Sequence, residues 1–287
     1  MDRVLVTGAN GHLGRRLLKE LTAPTRALVR SEAAASTLAD HGDVGIVDYG
    51  DGVRLRDACV GCASVVHLVG IIKESARATY AAAHEESTRN LLRAATDAGV
   101  GRIVYLSILG ADVDSPNPCL ASKARAETIL LQSAIPSLVI RVPMVLGESD
   151  YASVALLAKA RRRVAFEFRA SSLEQPIYAG NVVDAIRGGL AADGPTGILE
   201  LAGLRSLSRG ELIAVASGVG TRIVSLPLGL GYALAWMLER VSDNPPLTRA
   251  MLGVLDHDDD IDPQPGAEAL GIRLTGLAET LARVAAA

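Results

Sequence analysis

Three glycines near the start of the chain, Gly8, Gly11 and Gly14, stand three residues apart in Thr7-Gly8-Ala9-Asn10-Gly11-His12-Leu13-Gly14. An apolar run, Val4–Val6, leads straight into them, and a helix-compatible segment follows. That context is what a pyrophosphate cradle needs. A glycine at the strand end permits a tight turn, a second lets backbone N–H groups approach an anion, and a third lets the helix pack closely on the sheet. The helix beginning near His12 points its positive end at the phosphates. Thr7 and Asn10 are suited to pinning the loop through local hydrogen bonds. The residues imply a dinucleotide on the loop Gly8-Ala9-Asn10-Gly11-His12-Leu13-Gly14.

The end of the second apolar run, Leu28-Val29-Arg30-Ser31, bears on which dinucleotide. An acidic residue there would bind a ribose 2′-hydroxyl. Arg30 instead can pair with a 2′-phosphate and stack on adenine, which favours NADP. Glu32 is the local argument for NAD, and a surface arginine without a ligand is the plainer alternative. Asp48 and Tyr49 close the third run, where a carboxylate could accept a bond from the adenine amino group.

Other residue groups carry weaker signals. Cys59 and Cys62 have a C-x-x-C spacing, but among three cysteines no second pair completes a zinc site, and reduced thiols near a helix end are expected. Asp256-His257-Asp258-Asp259-Asp260 lacks the glycine and terminal glutamate of an EF-hand and reads as a solvated turn. Arg161-Arg162-Arg163 reads as a solvated helix end. His67 and His84 read as structural.

These groups need a scaffold, and the chain supplies one. Short β-branched runs at Val4–Val6, Thr25–Val29, Val44–Val47, Val65–Val69, Ile103–Leu106 and Leu138–Val142 alternate with helix-compatible segments such as Arg15–Leu21 and Thr79–Ala98. The alternation implies an α/β fold: a doubly wound parallel Rossmann sheet, covered on both faces by right-handed crossovers. After Gly147 the pattern loosens. Gln175–Tyr178 and Ile198–Leu201 read as strands, and Val182–Ala191, Arg209–Ser217, Leu228–Val241 and Thr248–Leu255 as helices. Residues 1–147 are expected to form the NAD(P)-binding domain. Residues 148–287 are expected to form a smaller C-terminal α/β lobe, some of whose elements return to the sheet.

Composition agrees with such a chain. It has 287 residues, 49% of them hydrophobic but only 3% aromatic, so the core must be aliphatic. A net charge of −3 gives no reason to expect nucleic acid. No signal segment is visible, and Leu226–Leu238 is too short to span a bilayer, so a cytoplasmic protein without a transmembrane segment is expected.

The glycine spacing, together with Lys123 at the head of a later helix, resembles the short-chain dehydrogenase/reductase superfamily. Further stretches are similar to its atypical extended branch, which holds NmrA-like proteins and relatives of the nucleotide-binding accessory subunit of respiratory complex I. These are His67-Leu68-Val69-Gly70-Ile71-Ile72, Thr88-Arg89-Asn90-Leu91-Leu92, Ile103-Val104-Tyr105-Leu106-Ser107, Gln175-Pro176-Ile177-Tyr178 and Pro246-Leu247-Thr248-Arg249. The resemblance implies a seven-stranded sheet with a small lobe over the nicotinamide. It implies that Leu68, Val69, Gly70, Ser107 and Lys123 lie along the cofactor.

In that family the catalytic pair is Tyr-x-x-x-Lys on one helix. The lysine holds the nicotinamide ribose and lowers the tyrosine pKa, and the tyrosine moves the proton. Here the position four residues before Lys123 is Cys119, so the tyrosine is missing. A thiol in the first helical turn, near Lys123, could have its pKa lowered and act instead, although it is much shorter than a phenol. Ser107 at a strand end is a candidate hydrogen-bond donor, and Tyr178, beside Gln175, a candidate phenol from outside the motif. Two functions follow. One is an NADPH-dependent reductase of a small, apolar, carbonyl-like substrate. The other is a non-catalytic NADP-binding structural, assembly or sensing protein whose C-terminal lobe, through Leu226–Leu238 with Trp236 and Met237, meets a protein partner.

Overall fold

The structure, a computed structural model, describes residues 2–75, 78–218 and 220–287. Its centre is a seven-stranded parallel sheet. The strands are β1 (Arg3–Thr7), β2 (Thr25–Val29), β3 (Val44–Ile46), β4 (Cys62–His67), β5 (Arg102–Ile108), β6 (Ser137–Val142) and, after four strands that lie outside it, β11 (Gly197–Glu200). The spatial order is β11-β6-β5-β4-β1-β2-β3. The chain starts in the middle, runs outward to β3, then crosses back to β4 on the other side of β1. The carboxyl ends of β1 and β4 therefore diverge, which is where open α/β sheets bind ligands.

Alternation along each strand sorts the core into two faces. From β1, Val4 and Val6 join Leu17 of α1 (His12–Glu20) and Val182, Val183 and Ile186 of α7 (Ala179–Gly189). Leu5 joins the opposite cluster, with Leu55 of α3 (Gly52–Cys59), Leu91 and Ala94 of α4 (Ser87–Asp97), and Ala126 and Leu130 of α5 (Pro118–Leu131). A short α2 (Glu32–Ser36) follows β2. The expected helix over 79–98 is two pieces: α4 is preceded by a π-helical turn, Ala81–Glu86.

The rest of the chain forms paired short strands and helices. β7 (Val145–Leu146) pairs with β10 (Ile177–Tyr178), β9 (Leu173–Glu174) with β12 (Leu207–Ser208), and β8 (Val164–Phe168) with β13 (Arg222–Leu226). The expected strand 175–178 is thus split around Gln175-Pro176, where proline has no N–H to offer a ladder. Around these pairs lie α6 (Tyr151–Ala160), α8 (Arg209–Ser217), α9 (Leu228–Val241), α10 (Arg249–Leu255), α11 (Gln264–Ala269) and α12 (Leu277–Ala285). Arg161, Arg162 and Arg163 are exposed at the end of α6. One face of α9 is exposed and apolar, through Leu230, Leu234, Trp236 and Met237. Among the described residues no helix is long and apolar enough to cross a membrane.

The acidic run corrects the sequence reading in part. His257, Asp258 and Asp260 are exposed, as expected of a solvated turn, but Asp256 and Asp258 also form a clasp and Asp259 is buried. Arg169 pairs with Asp256 and with Asp258 (2.8 Å). The Asp258 carboxylate also accepts from Ser172 Oγ (3.1 Å) and the Leu173 N–H (2.9 Å). Asp259 is buried, and burial pushes its carboxyl up to about 7, with Glu174 adding to the shift. The reason is that part of the run sits opposite Arg169, the Ser172 hydroxyl and the Leu173 N–H, and pairing there outweighs hydration.

Candidate cofactor and active site

The glycine loop joins β1 to α1, and each glycine has a distinct geometric reason. Gly8 has φ +67°, and a Cβ on it would come within 3.0 Å of the Leu68 carbonyl. A Cβ on Gly14 would stand 2.6 Å from Gly8 O and 2.7 Å from Ala9 O. Gly11 caps α1 with no side-chain hydrogen bond, and the first turn of that helix holds no acidic residue. The leading N–H groups and the positive end of α1 are thus left to an outside acceptor. Asn10, Gly11 and His12 are exposed, whereas Leu13 packs inward on the core. These features fit a dinucleotide pyrophosphate.

Thr7 and Asn10 do not pin this loop as expected. The Thr7 side chain is fully buried, and its hydroxyl pairs with His67 Nδ1 at 2.7 Å. The other ring nitrogen of His67 meets Thr88 Oγ1 at 3.1 Å. His67 therefore ties β1, β4 and α4 together beneath the loop. Burial, with Lys123 adding to it, lowers its pKa to about 3 and keeps it neutral.

At the end expected to take adenine, Arg30 is exposed just past β2, and no ion pair or hydrogen bond engages its guanidinium among the described residues. Ser31 caps α2 through the Ala34 N–H, and Glu32 sits in the first turn of that helix. Asp48 is exposed, with one carboxylate oxygen accepting the Gly50 N–H at 2.8 Å. Tyr49 is buried near Thr7 and Gly8, but its phenol reaches hydrogen-bonding geometry with neither. Burial pushes that phenol up to about 12.

At the end expected to take nicotinamide, Lys123 donates to Leu106 O at 3.1 Å and stands 4.6 Å above the Tyr105 ring. Burial lowers its amine to about 8. The loop after β4 lies against it, because a Cβ on Gly70 would come within 3.0 Å of Lys123 Nζ. Leu68 and Val69 lead into that contact, with the Leu68 N–H donating to Thr7 O at 3.3 Å. His84 fixes the same loop from the π-helical turn. Its Nε2 accepts from the Ile71 N–H at 3.0 Å, so its Nδ1 carries the proton and meets Ser122 Oγ at 2.7 Å. The sequence marked His84 as structural; the structure shows it fastening Ile71 to the residue beside Lys123.

The structure treats the expected proton-transfer candidates unevenly. Asn117 caps α5 through the Cys119 and Leu120 N–H groups, and Pro118 opens the helix, so Cys119 does sit in the first turn. Its thiol is nonetheless buried and directed at Ile71 O, 3.7 Å away. Burial pushes its pKa up to about 11, and Lys123 opposes this only in part, which corrects the expected lowering. Cys59 and Cys62 are also buried free thiols; burial takes Cys59 to about 12. Ser107 donates to Glu127 at 2.5 Å, and Glu127 is locked to Arg141 at 2.6 Å. Tyr178 is held elsewhere, donating to Glu148 (2.5 Å), accepting from Arg16 (2.9 Å) and lying under the Arg283 guanidinium. Gln175 spends its amide on Gly203 O, Ile261 O and the Ile261 N–H.

Between the start of α5, the loop after β4 and α9–α10 lies a cleft of about 900 Å³. It is walled by Glu74, Tyr80, Asn117, Tyr232, Glu239 and His257 among others. His257 was passed over in the sequence as part of the acidic run; a lone imidazole between two helices was the available signal.

Comparison with known proteins agrees with this geometry. The model of a family described as NAD(P)H-binding matches residues 8–165. A ketoreductase of 4-hydroxy-2-methyl-3-oxo-4-farnesyl-3,4-dihydroquinoline-1-oxide from Stigmatella aurantiaca is 33% identical over 194 residues, 58% of this chain and 57% of that protein. NADH dehydrogenase [ubiquinone] 1 alpha subcomplex subunit 9 of Arabidopsis thaliana is 27% identical over 247 residues, 80% of this chain and 61% of that protein. The matches thus span little more than half the length of these relatives. Among solved structures, the NADPH complex of quinone oxidoreductase QOR2 from Escherichia coli superposes with a TM-score of 0.75 at 24% identity, covering 97% of this chain and 98% of that one. A triphenylmethane reductase of Citrobacter sp. gives 0.76 at 23% identity, covering 99% and 100%. With the glycine cradle, the seven-stranded sheet and the lysine in place, the chain belongs to the NAD(P)H-binding family.

Proposed function

We propose that the protein is an NADPH-dependent oxidoreductase acting on a small, largely apolar carbonyl compound, a ketone or a quinone, without the family tyrosine. The observation that carries the cofactor choice is Arg30: an exposed guanidinium just past β2 with no partner among the described residues. A planar fork there suits a 2′-phosphate. The amides of His12 and Leu13 would take the pyrophosphate, Asp48 the adenine, and Lys123 the ribose hydroxyls at the nicotinamide end. The bound nicotinamide supplies hydride. The chain supplies position, which accounts for a large part of such a barrier. The names of similar proteins, a ketoreductase and an NADPH-dependent quinone oxidoreductase, support the reaction class.

The test is a fluorescence titration with NADPH and NADH, repeated with Arg30→Ala. NADPH should bind more tightly, and the variant should lose about ten- to a hundredfold for NADPH, the worth of one charge-assisted pair, with NADH unchanged. Equal affinities in the unaltered protein would remove the NADP assignment.

A second reading rests on Cys119. A buried thiol at the tyrosine's place suits a protein that binds NADP without turning anything over. In that case the exposed apolar face of α9 serves a protein partner. Tight NADPH binding with no oxidation across a ketone and quinone panel would favour this second reading.

A further inference from the structure

β5 ends beneath the lobe, and Gly110, just beyond it, has φ +73°. The His257 ring lies directly on this glycine: a Cβ at position 110 would stand 2.9 Å from ring atoms Cδ2 and Nε2. The imidazole thus rests on the carboxyl end of the strand that carries Tyr105, Leu106 and Ser107, with Lys123 bonded to Leu106 O. It also lines the 900 Å³ cleft, and its side chain is 45% exposed. Nε2 is 4.0 Å from Oδ1 of the buried Asp259. The loop that holds it is clamped. Arg169 grips Asp256 and Asp258, and Ser206 Oγ donates to Asp259 O at 2.7 Å.

We propose that His257 is the proton donor of this site, doing from the C-terminal lobe what a tyrosine at position 119 does from α5. The proposal rests on the reductase reading above. The substrate carbonyl would lie in the cleft with its oxygen toward the imidazole. Hydride from the reduced nicotinamide forms the new C–H bond while the C=O π pair moves onto oxygen. The His257 N–H bond breaks, an O–H bond forms, and the neutral imidazole regains its proton from solvent. A quinone takes the hydride on one carbonyl oxygen, its π electrons shift through the ring onto the far oxygen, and that oxygen takes the His257 proton to give the hydroquinone.

Four alternatives are otherwise engaged, and Tyr232, which lines the same cleft, is the remaining rival. Cys119 is buried against Ile71 O, the Ser107 hydroxyl belongs to Glu127, and Tyr178 is held by Arg16 and Glu148. Tyr80 donates to Ile72 O at 2.7 Å. The charged groups that face His257 are Asp256 and Asp259 on its own loop and, across the cleft, Glu74, Asp243 and the Glu239–Arg249 pair.

The experiment follows kcat/KM for menadione with NADPH across the range pH 5.5 to 9, in the unaltered protein, His257→Gln and Asp259→Asn. The unaltered protein should lose activity toward the alkaline end of that range. His257→Gln should bind NADPH normally, run about a hundredfold slower or worse, and lack that limb. Asp259→Asn, which keeps the ring, should displace the limb rather than abolish it. An NMR titration adds a readout independent of turnover: the His257 Cε1–H resonance, identified by its loss in His257→Gln, should shift when menadione joins the NADP⁺ complex. Turnover that survives His257→Gln with its limb intact overturns the donor alone, as does loss of the limb in Tyr232→Phe instead. No turnover in the unaltered protein despite bound NADPH removes the reductase reading, and the donor with it.

Discussion

The two later glycines of the loop differ in a way that stability and affinity measurements can separate. At Gly14 an added Cβ would meet two backbone oxygens at 2.6 and 2.7 Å, roughly an ångström inside the usual contact of non-bonded heavy atoms. Neither oxygen belongs to a flexible side chain, so α1 itself must shift. Overpacking of this kind costs about 1–3 kcal/mol. For a chain of this size that lowers Tm by about 2–10 °C. The shift also carries the leading N–H groups away from the phosphates. One lost hydrogen bond to a charged group, about 1.5–3 kcal/mol, weakens NADPH by about ten- to a hundredfold. At Gly11 the same methyl meets only Gly8 O, at 3.3 Å, with backbone angles of φ −69° and ψ 167° that any residue adopts. Gly11→Ala should therefore keep Tm within a few degrees yet still lose affinity, because its methyl stands on the exposed face of the cradle. Thermal unfolding and NADPH titration of both variants make the comparison. A Gly14→Ala protein with unaltered Tm and affinity, or a Gly11→Ala protein as unstable as Gly14→Ala, would refute the division of labour.

Two further outcomes test the site's chemistry. All three cysteines are buried thiols, with Cys59 pushed to about 12 and Cys119 to about 11. Their alkylation by iodoacetamide at pH 8 should therefore run about a hundredfold slower than that of glutathione, and become fast only in denaturant. His84 is held neutral, at about 3, by burial and then by Lys123. Because its folded pKa lies below the unfolded value, its contribution is complete above pH 6.5 and is lost as pH falls from there toward 3, roughly 2 kcal/mol by pH 5. Urea titrations at pH 7.5 and 5 should show a smaller acid loss in His84→Gln than in the unaltered protein. Comparing the two proteins cancels Asp259, whose raised pKa works in the opposite direction.

The cofactor half of the molecule was legible because its signals are local. Gly8, Gly11 and Gly14 are read by spacing, and β-branched runs such as Thr25–Val29 are read by composition, with tertiary context only trimming their ends. The first turn of α5 was legible for the same reason: an asparagine between prolines is a capping signal. What failed was whatever depends on partners distant in sequence. Thr7 looked like a loop pin, but its partner His67 comes from β4. The Cys119 thiol looked activated by a helix end and a lysine, but burial against Ile71 outweighs both. Asp258 is exposed as expected, but its pairing went unread because Arg169 and Ser172 lie more than eighty residues away. The split of 175–178 and the π-helical turn before α4 likewise follow from packing that no periodicity encodes.

The last strand of the sheet has a consequence for how the molecule is assembled. β11 lies along β6, with Ile198 opposite Val139, yet it arrives only after the short strands and helices of 145–189. During synthesis the growing sheet therefore presents β6 as an open edge, carrying Leu138, Val139 and Ile140, until residues 197–200 have left the ribosome. An apolar edge waiting for a late partner is prone to pairing with a neighbouring chain. The chain thus has a window of vulnerability set by the order of its strands rather than by their final stability. It closes at the moment the second half of the sequence threads back to complete the first.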